Sequence, residues 1–177
     1  MGKYHHTLTF PIALLVLMLS ACISEPAMGE TEMKTIDLNL WQTIDASALQ
    51  ILFTQAKMES VLNTQFFESD NGANNVFRFF DSKPVRLKDK IIIFNADLHL
   101  KRQRNHPGFM VLNLSGSCLS LQQVRTHYSD LKLTEIPSGA PLDEEVTYSV
   151  QQPWGNLSFG FKDRNAQCLT YVAMDTD

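Results

Sequence analysis

Residues 94–101, Phe-Asn-Ala-Asp-Leu-His-Leu-Lys, alternate strictly between apolar and polar side chains. Successive side chains of a β-strand point to opposite faces, so this pattern predicts a strand with one buried face. The side chains expected on that face are Phe94, Ala96, Leu98 and Leu100. A turn-rich connector at 102–108 leads into a second apolar run at 109–114. The two runs together predict an antiparallel hairpin.

Five further strands are predicted from alternating side chains and from the turn-forming residues between them. They lie near residues 62–67, 75–80, 146–150, 157–161 and 169–173, with turns at 69–74, 153–156 and 163–166. In the last of these strands, Leu169, Tyr171 and Ala173 are expected on one face.

Two segments have the helical spacing of apolar residues and begin with the sequence of a capping box. Residues 47–50 (Ser-Ala-Leu-Gln) predict a helix near 46–58, and residues 120–123 (Ser-Leu-Gln-Gln) predict one near 120–129. The expected fold class is therefore α+β. We expect a single domain with an antiparallel sheet of five to seven strands and two short helices on one face.

The composition excludes several classes of protein. Of the 177 residues, 44% are hydrophobic and 19% are charged, which are the values of an ordinary globular chain rather than of a disordered segment or a coiled coil. The net charge at pH 7 is −4. A chain of this charge is not expected to bind nucleic acid through its phosphate backbone.

The N-terminus has the features of an export signal. Lys3 and the amino terminus supply positive charge, and residues 10–19 form an apolar core of ten residues. A helix needs about 20 apolar residues to span a bilayer, so this core is too short for a transmembrane span. Residues 1–21 are therefore predicted to be a signal peptide.

The residues that follow this core, Leu19-Ser20-Ala21-Cys22, resemble the lipobox of bacterial lipoproteins. The resemblance implies cleavage before Cys22 and attachment of lipid to its thiol; the alternative is an ordinary signal peptide that ends near a cysteine. Because Ile23, and not Asp, follows the cysteine, the resemblance implies sorting to the outer membrane, facing the periplasm. Residues 22–35 are then a lipidated tether, and 36–177 the single folded domain.

Two other cysteines remain, Cys118 and Cys168. If Cys22 carries lipid, these two form an even pair in an oxidising compartment, where disulfides persist. We expect them to be joined; the alternative is two buried thiols.

No catalytic or metal-binding motif stands out in the sequence. The histidines of the expected domain, His99, His106 and His127, lack the close spacing of zinc ligands. Glycines are isolated, so no phosphate-binding loop is predicted. We expect no cofactor, no metal and no enzymatic activity.

The residues expected to contact a partner are Asp143, Glu144, Glu145 and Trp154. The three acids follow a loop rich in Pro and Gly, and Trp is favoured in protein interfaces. The alternatives are a solvated acidic loop and a tryptophan that folds back over the sheet. The basic stretch at 101–104 is expected to be a solvated hairpin tip, or a contact with headgroups, lipopolysaccharide phosphates or an acidic partner.

The predicted function is binding of a protein in the cell envelope. The pattern of Cys118, His127-Tyr128, Trp154-Gly155, Phe159-Gly160-Phe161 and Cys168-Leu169 resembles uncharacterised proteobacterial lipoproteins. The first hypothesis is an immunity or inhibitor protein that neutralises a periplasm-acting toxin or hydrolase. The second is an accessory, pilotin-like lipoprotein of an envelope assembly or secretion system. A neighbouring toxin gene would favour the first, and neighbouring pilus or secretion genes the second.

Overall fold

The computed structural model describes residues 1–2, 33–70, 74–103, 106–136, 145–162 and 167–176. The chain divides into two units, residues 1–32 and residues 33–177, and the description below concerns the second. Cys22 and nearly all of the expected signal peptide lie outside the described residues, so the lipid anchor stays a prediction. Among the helices of the described residues, none has the length and apolar character to cross a bilayer.

The described residues form ten strands and three helices, more than the five to seven strands and two helices expected. The helices are α1 (Leu40–Ala48), α2 (Gln55–Leu62) and α3 (Leu121–His127). The strands are β1 (Lys34–Thr35), β2 (Phe66–Ser69), β3 (Phe77–Ser82), β4 (Val85–Arg86), β5 (Ile91–Lys101), β6 (Phe109–Gly116), β7 (Lys132–Glu135), β8 (Glu145–Gln152), β9 (Gly155–Lys162) and β10 (Cys168–Asp175). The strands that were not expected, β1, β4 and β7, are two to four residues long, too short to show a recognisable alternation.

All ten strands belong to one sheet, which confirms the α+β class. The order is β1-β4-β5-β6-β10-β9-β8-β7, with β3 beside β5 and β2 beside β3. Every pairing is antiparallel except that of β1 with β4. The expected hairpin is confirmed as β5 and β6, which pair from Ile91 to His99 of β5.

The predicted helix near 46–58 is wrong. Residues 47 and 48 end α1, and α2 begins only at Gln55. Between them Leu52 has a φ of 62°, which a right-handed helix does not accommodate. The cap of α1 is Asn39, and the cap of α2 is Thr54, whose side chain accepts a hydrogen bond from the amide of Lys57 at 3.2 Å.

The predicted cap of the other helix is correct. Ser120 Oγ accepts a hydrogen bond from the Gln123 amide at 3.3 Å, and Gln123 Oε1 accepts one from the Ser120 amide at 2.8 Å. This reciprocal pair is a capping box, and α3 follows it.

The core lies between the three helices and one face of the sheet. The helices contribute Leu40, Ile44, Met58, Leu62 and Val124, and all five are buried. The strands contribute alternate side chains, among them Leu98, Leu112, Phe159 and Val172.

Two β-bulges change which side chains face this core. The pairing of β5 with β6 skips Phe94, and the pairing of β10 with β9 skips Thr170. Each of these residues is therefore an extra residue in its strand. Phe94 was expected to be buried, but 50% of its surface is exposed. The second bulge separates Leu169, which faces the core, from Tyr171 and Ala173, which face the other way. The single-face prediction for these three residues is wrong for that reason.

The pairing of Cys118 with Cys168 is confirmed. Their Cα atoms lie 5.0 Å apart, within the range of disulfides. The bond joins the segment before α3 to the first residue of β10.

Candidate functional site

The face of the sheet opposite the helices is called here the open face. The side chains that the helices bury join the core on the other face, and in the described part of the chain no helix residue lines the open face's main cleft. Side chains alternate between the two faces along each strand. In a sheet covered on one side only, every second side chain therefore points toward solvent. The open face is therefore where the fold presents side chains to a ligand or partner.

One half of the open face is aromatic. Phe79, His99 and Phe109 lie directly opposite one another on β3, β5 and β6. The ring centroid of His99 lies 4.4 Å from that of Phe79 and 5.2 Å from that of Phe109. Phe77 adds a fourth ring, 6.2 Å from Phe79. These four residues, Phe77, Phe79, His99 and Phe109, are called the aromatic cluster.

Charged groups border the aromatic cluster. Asp97 Oδ1 lies 2.9 Å from His99 Nε2, an ion-pair distance when the imidazole is protonated. The Lys101 ammonium lies 5.6 Å from the centroid of the Phe77 ring, within the range of a cation–π contact. The cluster therefore combines an apolar centre with a charged border.

The other half of the open face is a cleft of about 520 Å³, lined in the described residues by strands β6 to β10. Its hydroxyl groups come from Thr134, Thr147, Ser149, Ser158 and Tyr171, and we call it the hydroxyl cleft. Register places Ser149 opposite Ser158, and Ser158 opposite Ala173. Alternation on each strand thus gathers short polar side chains beside the apolar surface of β6 and β10.

Hydrogen bonds join the hydroxyl groups into two chains. Ser149 Oγ lies 2.9 Å from Thr134 Oγ1 and 2.8 Å from Ser158 Oγ. In the second chain, Thr147 Oγ1 lies 2.7 Å from the Tyr171 hydroxyl and donates to Glu135 Oε2 at 3.2 Å. These contacts fix the side chains of the cleft before any ligand binds.

Tyr171 reaches Thr147 by lying over Gly160. Any Cβ atom built on Gly160 would lie 1.8 Å from Tyr171 Cε1, so the ring occupies the space that a side chain would need. The pKa of Tyr171 is raised, chiefly because the ring is partly buried and also because Glu145 and Glu135 are nearby, although the bond with Thr147 acts in the opposite direction. Tyr171 therefore remains a neutral hydroxyl at physiological pH.

The structure describes two of the four predicted contact residues, Trp154 and Glu145, and neither belongs to the aromatic cluster or lines the hydroxyl cleft. Trp154 lies in the turn between β8 and β9, is half-buried and packs against the core, which corresponds to the alternative of a folded-back tryptophan. Glu145 begins β8 opposite Lys162. Asp143 and Glu144 lie outside the described residues.

The three histidines have separate surroundings. His99 belongs to the aromatic cluster, His127 stacks on Trp41 with centroids 4.0 Å apart, and His106 contacts Lys101. Across residues 33–176, within the described ranges, no group of three or more His, Cys, Asp or Glu side chains could hold a metal ion.

The sequence interpretation missed both the aromatic cluster and the hydroxyl cleft. The polar positions of β8 and β9, Thr147, Ser149 and Ser158, carried a usable signal because each is a short hydroxyl residue on the non-core side of its strand. The sequence carried no such signal for Tyr171, because the bulge at Thr170 turns its side chain to the face opposite the one that simple alternation predicts.

Comparison of the chain with models of protein families, with curated proteins and with solved structures gives no match.

Proposed function

We propose that the protein is a lipid-anchored binding protein at the periplasmic side of the outer membrane, where it inhibits a toxin or hydrolase that acts in the periplasm. The observation that carries this proposal is the aromatic cluster on the open face. The lipobox resemblance supplies the location, and the cluster supplies the surface that meets the partner.

The composition of the cluster is that of a protein contact. Centres of protein interfaces are enriched in aromatic residues, and their borders are polar and solvent-accessible. The cluster has three phenylalanine rings and an imidazole, with Asp97 and Lys101 beside them. Ring packing across three strands holds these groups in one arrangement, so little side-chain entropy is lost when a partner binds.

A protection assay tests the proposal. A sensitive strain that produces the full chain is challenged with the toxin or hydrolase encoded beside its gene, directed to the periplasm. Phe79→Thr removes a central ring but keeps a residue that favours strands, and we expect it to weaken partner binding by about tenfold and to reduce protection. Leu133→Thr is the matched control, because Leu133 is an exposed apolar residue on β7, at the other end of the sheet.

Thermal midpoints of both variants distinguish lost binding from lost folding. Cys22→Ala, examined with a fatty-acid label, tests the anchor separately: label should enter the natural chain and not the variant. Equal protection by the natural chain and Phe79→Thr would show that the cluster is not the contact. Failure of the natural chain to bind or protect would contradict the inhibitor function.

An accessory role in an envelope assembly is the second candidate, and it has its own observation. In the described residues, β7 forms an edge of the sheet, and its four residues are all exposed. Leu133 and Ile136 beside this edge are 47% and 69% exposed. An edge of this kind can accept an extended peptide as an additional strand. If this is the function, Leu133→Thr should impair assembly, and Phe79→Thr should not.

A further inference from the structure

We propose that the hydroxyl cleft is a binding site for a neutral saccharide; it adjoins the aromatic cluster that the proposed function uses and shares only Phe109 with it among the described residues. Three properties of the described lining support this: the direction of its hydrogen bonds, its charge and its apolar strip.

The direction of the first hydrogen-bond chain is determined by proton count. Thr134 Oγ1 lies 3.2 Å from the carbonyl oxygen of Thr147, which can only accept, and each hydroxyl has one proton to donate. The three contacts of this chain are therefore made together only if Ser158 donates to Ser149, Ser149 to Thr134, and Thr134 to the carbonyl. Every proton is then used within the protein, and Ser158 Oγ keeps both lone pairs for a ligand.

The second chain has the same direction. Thr147 donates to the Glu135 carboxylate, so its contact with Tyr171 requires the phenol to donate. Tyr171 is left with an oxygen that can accept. The two hydroxyl chains therefore present acceptors, for which a ligand must supply O–H or N–H donors. The side-chain amides of Asn113 and Asn156 add donor groups to the lining, and a saccharide hydroxyl can pair with either kind.

The charge of the cleft excludes anionic ligands. Two carboxylates, Glu135 and Asp175, are among its lining residues, and none of the described lining residues is Lys, Arg or His. Phosphorylated or sulfated groups inside the hydroxyl cleft would be repelled, because none of its described lining residues is a cation that could pair with them. Carboxylates accept hydrogen bonds from neutral hydroxyl groups strongly, since charge-assisted bonds are shorter and stronger than neutral ones.

An apolar strip lies beside the acceptors. Val111 on β6 is opposite Ala173 on β10, which is opposite Ser158 on β9. Phe109 closes one end of this strip opposite Asp175. A pyranose ring has an apolar face of C–H groups and an edge of hydroxyl groups, and this lining offers a matching surface for each.

The dimensions suit more than one sugar unit. The volume of about 520 Å³ lies within the range of small-molecule sites, about 300–1,000 Å³. A second depression of about 620 Å³ shares Thr134, Ser149 and Asn156 with the first, so the two lie side by side. Lys132 and Asp130 line this second depression. We therefore infer an oligosaccharide that runs across β9 and β8 toward β7.

Calorimetric titration of the full chain tests the site. The probes are neutral tetrasaccharides of glucose, of mannose and of N-acetylglucosamine, each at millimolar concentration, with a tetrasaccharide of galacturonic acid as the anionic comparison. We expect at least one neutral probe to bind and the anionic probe to bind more weakly. Ser158→Ala and Tyr171→Phe should each weaken that neutral binding by about threefold to tenfold, the effect of one lost hydrogen bond.

Ser115→Ala is the matched control, because Ser115 lies on β6 outside the lining of the cleft. It should leave saccharide binding unchanged, as should Phe79→Thr, and unchanged thermal midpoints should accompany each substitution in the cleft. The proposal is overturned if no neutral probe binds, if the uronic acid probe binds best, or if Ser158→Ala and Tyr171→Phe bind like the natural chain. It is also overturned if neutral binding is lost with Phe79→Thr and kept with both cleft variants.

Discussion

Gly160 determines where Tyr171 can lie. The ring of Tyr171 fills the position of an absent side chain, and the same ring delivers its hydroxyl to Thr147 at 2.7 Å. Aromatic side chains that cover a glycine on a neighbouring strand stabilise the sheet at a position where glycine itself weakens it. The glycine and the tyrosine therefore work as a pair.

We expect Gly160→Ala to destabilise the protein by about 1–3 kcal/mol, the usual cost of overpacking. A methyl group would displace Tyr171 and break its contact with Thr147. Urea denaturation of the natural chain, Gly160→Ala, Tyr171→Ala and the double variant measures the coupling. Gly160→Ala should cost much less in the Tyr171→Ala background; an equal cost in both backgrounds would contradict the pairing.

A second residue-scale prediction concerns pH. Tyr128 contacts Phe159 with ring centroids 5.2 Å apart, and burial, with a smaller effect of Asp45, raises the pKa of Tyr128 to about 12. The unfolded chain loses this proton near pH 10, and the folded chain holds it to higher pH. The contribution of Tyr128 to the free energy of unfolding is therefore fully present below pH 10 and is lost between about pH 10 and pH 12.

Denaturation midpoints measured across this range should show the fall. Tyr128→Phe keeps the ring and removes the hydroxyl group that titrates, so the denaturation midpoint of this variant should depend less on pH. Some dependence should remain in this variant, because the pKa of Tyr171 is also raised. A variant whose pH profile matches that of the natural chain would show that Tyr128 does not contribute.

At the scale of elements, two serines that begin the same Ser-X-X-Gln motif have different roles. Ser120 caps α3 through the Gln123 amide, whereas Ser47 lies in the last turn of α1, fully buried. Ser47 Oγ has no hydrogen-bond partner among the described residues. The sequence motif is the same, but the actual start of α1 at Asn39 makes residue 47 an interior position.

We therefore expect Ser120→Ala to cost about 1 kcal/mol, the value of a lost N-cap. Ser47→Ala should be neutral or slightly stabilising, because it removes a buried hydroxyl that makes no bond. Chemical denaturation of the two variants side by side gives the comparison. Equal losses, or a larger loss for Ser47→Ala, would contradict these assignments.

Local patterns predicted that the longer strands and one helix exist, although two of these strands contain a bulge. The hairpin of β5 and β6 and the three C-terminal strands follow from alternation, and α3 follows from its capping box. The bulges at Phe94 and Thr170 could not be predicted, because an extra residue depends on the register of the neighbouring strand. Tyr171 faces the hydroxyl cleft as a result of one such bulge. The site was therefore harder to predict than the fold.

At the scale of the molecule, the disulfide links two segments that are far apart in sequence. Cys118 and Cys168 are 50 residues apart in sequence, and β7, β8 and β9 lie between them. Closing a loop of this length restricts the unfolded chain, and the chain-entropy model gives a stabilisation of about 4 kcal/mol.

We expect reductant to lower the thermal midpoint of the natural chain. The variant with Cys118→Ser and Cys168→Ser should melt at a similarly low temperature with and without reductant, since it has no bond to lose. Calorimetric melting of both proteins under both conditions makes the test. Identical midpoints for the natural chain with and without reductant would show that the bond contributes nothing to stability.

The same bond has a mechanical consequence. If tension acts between the two ends of the chain, the segment between Cys118 and Cys168 bears none of it after the remainder unravels, because the bond carries the load past that segment. A fully stretched residue spans about 3.3–3.6 Å. The 50 residues closed by the bond would otherwise add roughly 170 Å to the length of the extended chain. Three of the strands that line the hydroxyl cleft, β7, β8 and β9, lie within this protected segment. Force can then unravel the outer parts of the chain while this segment stays a closed ring.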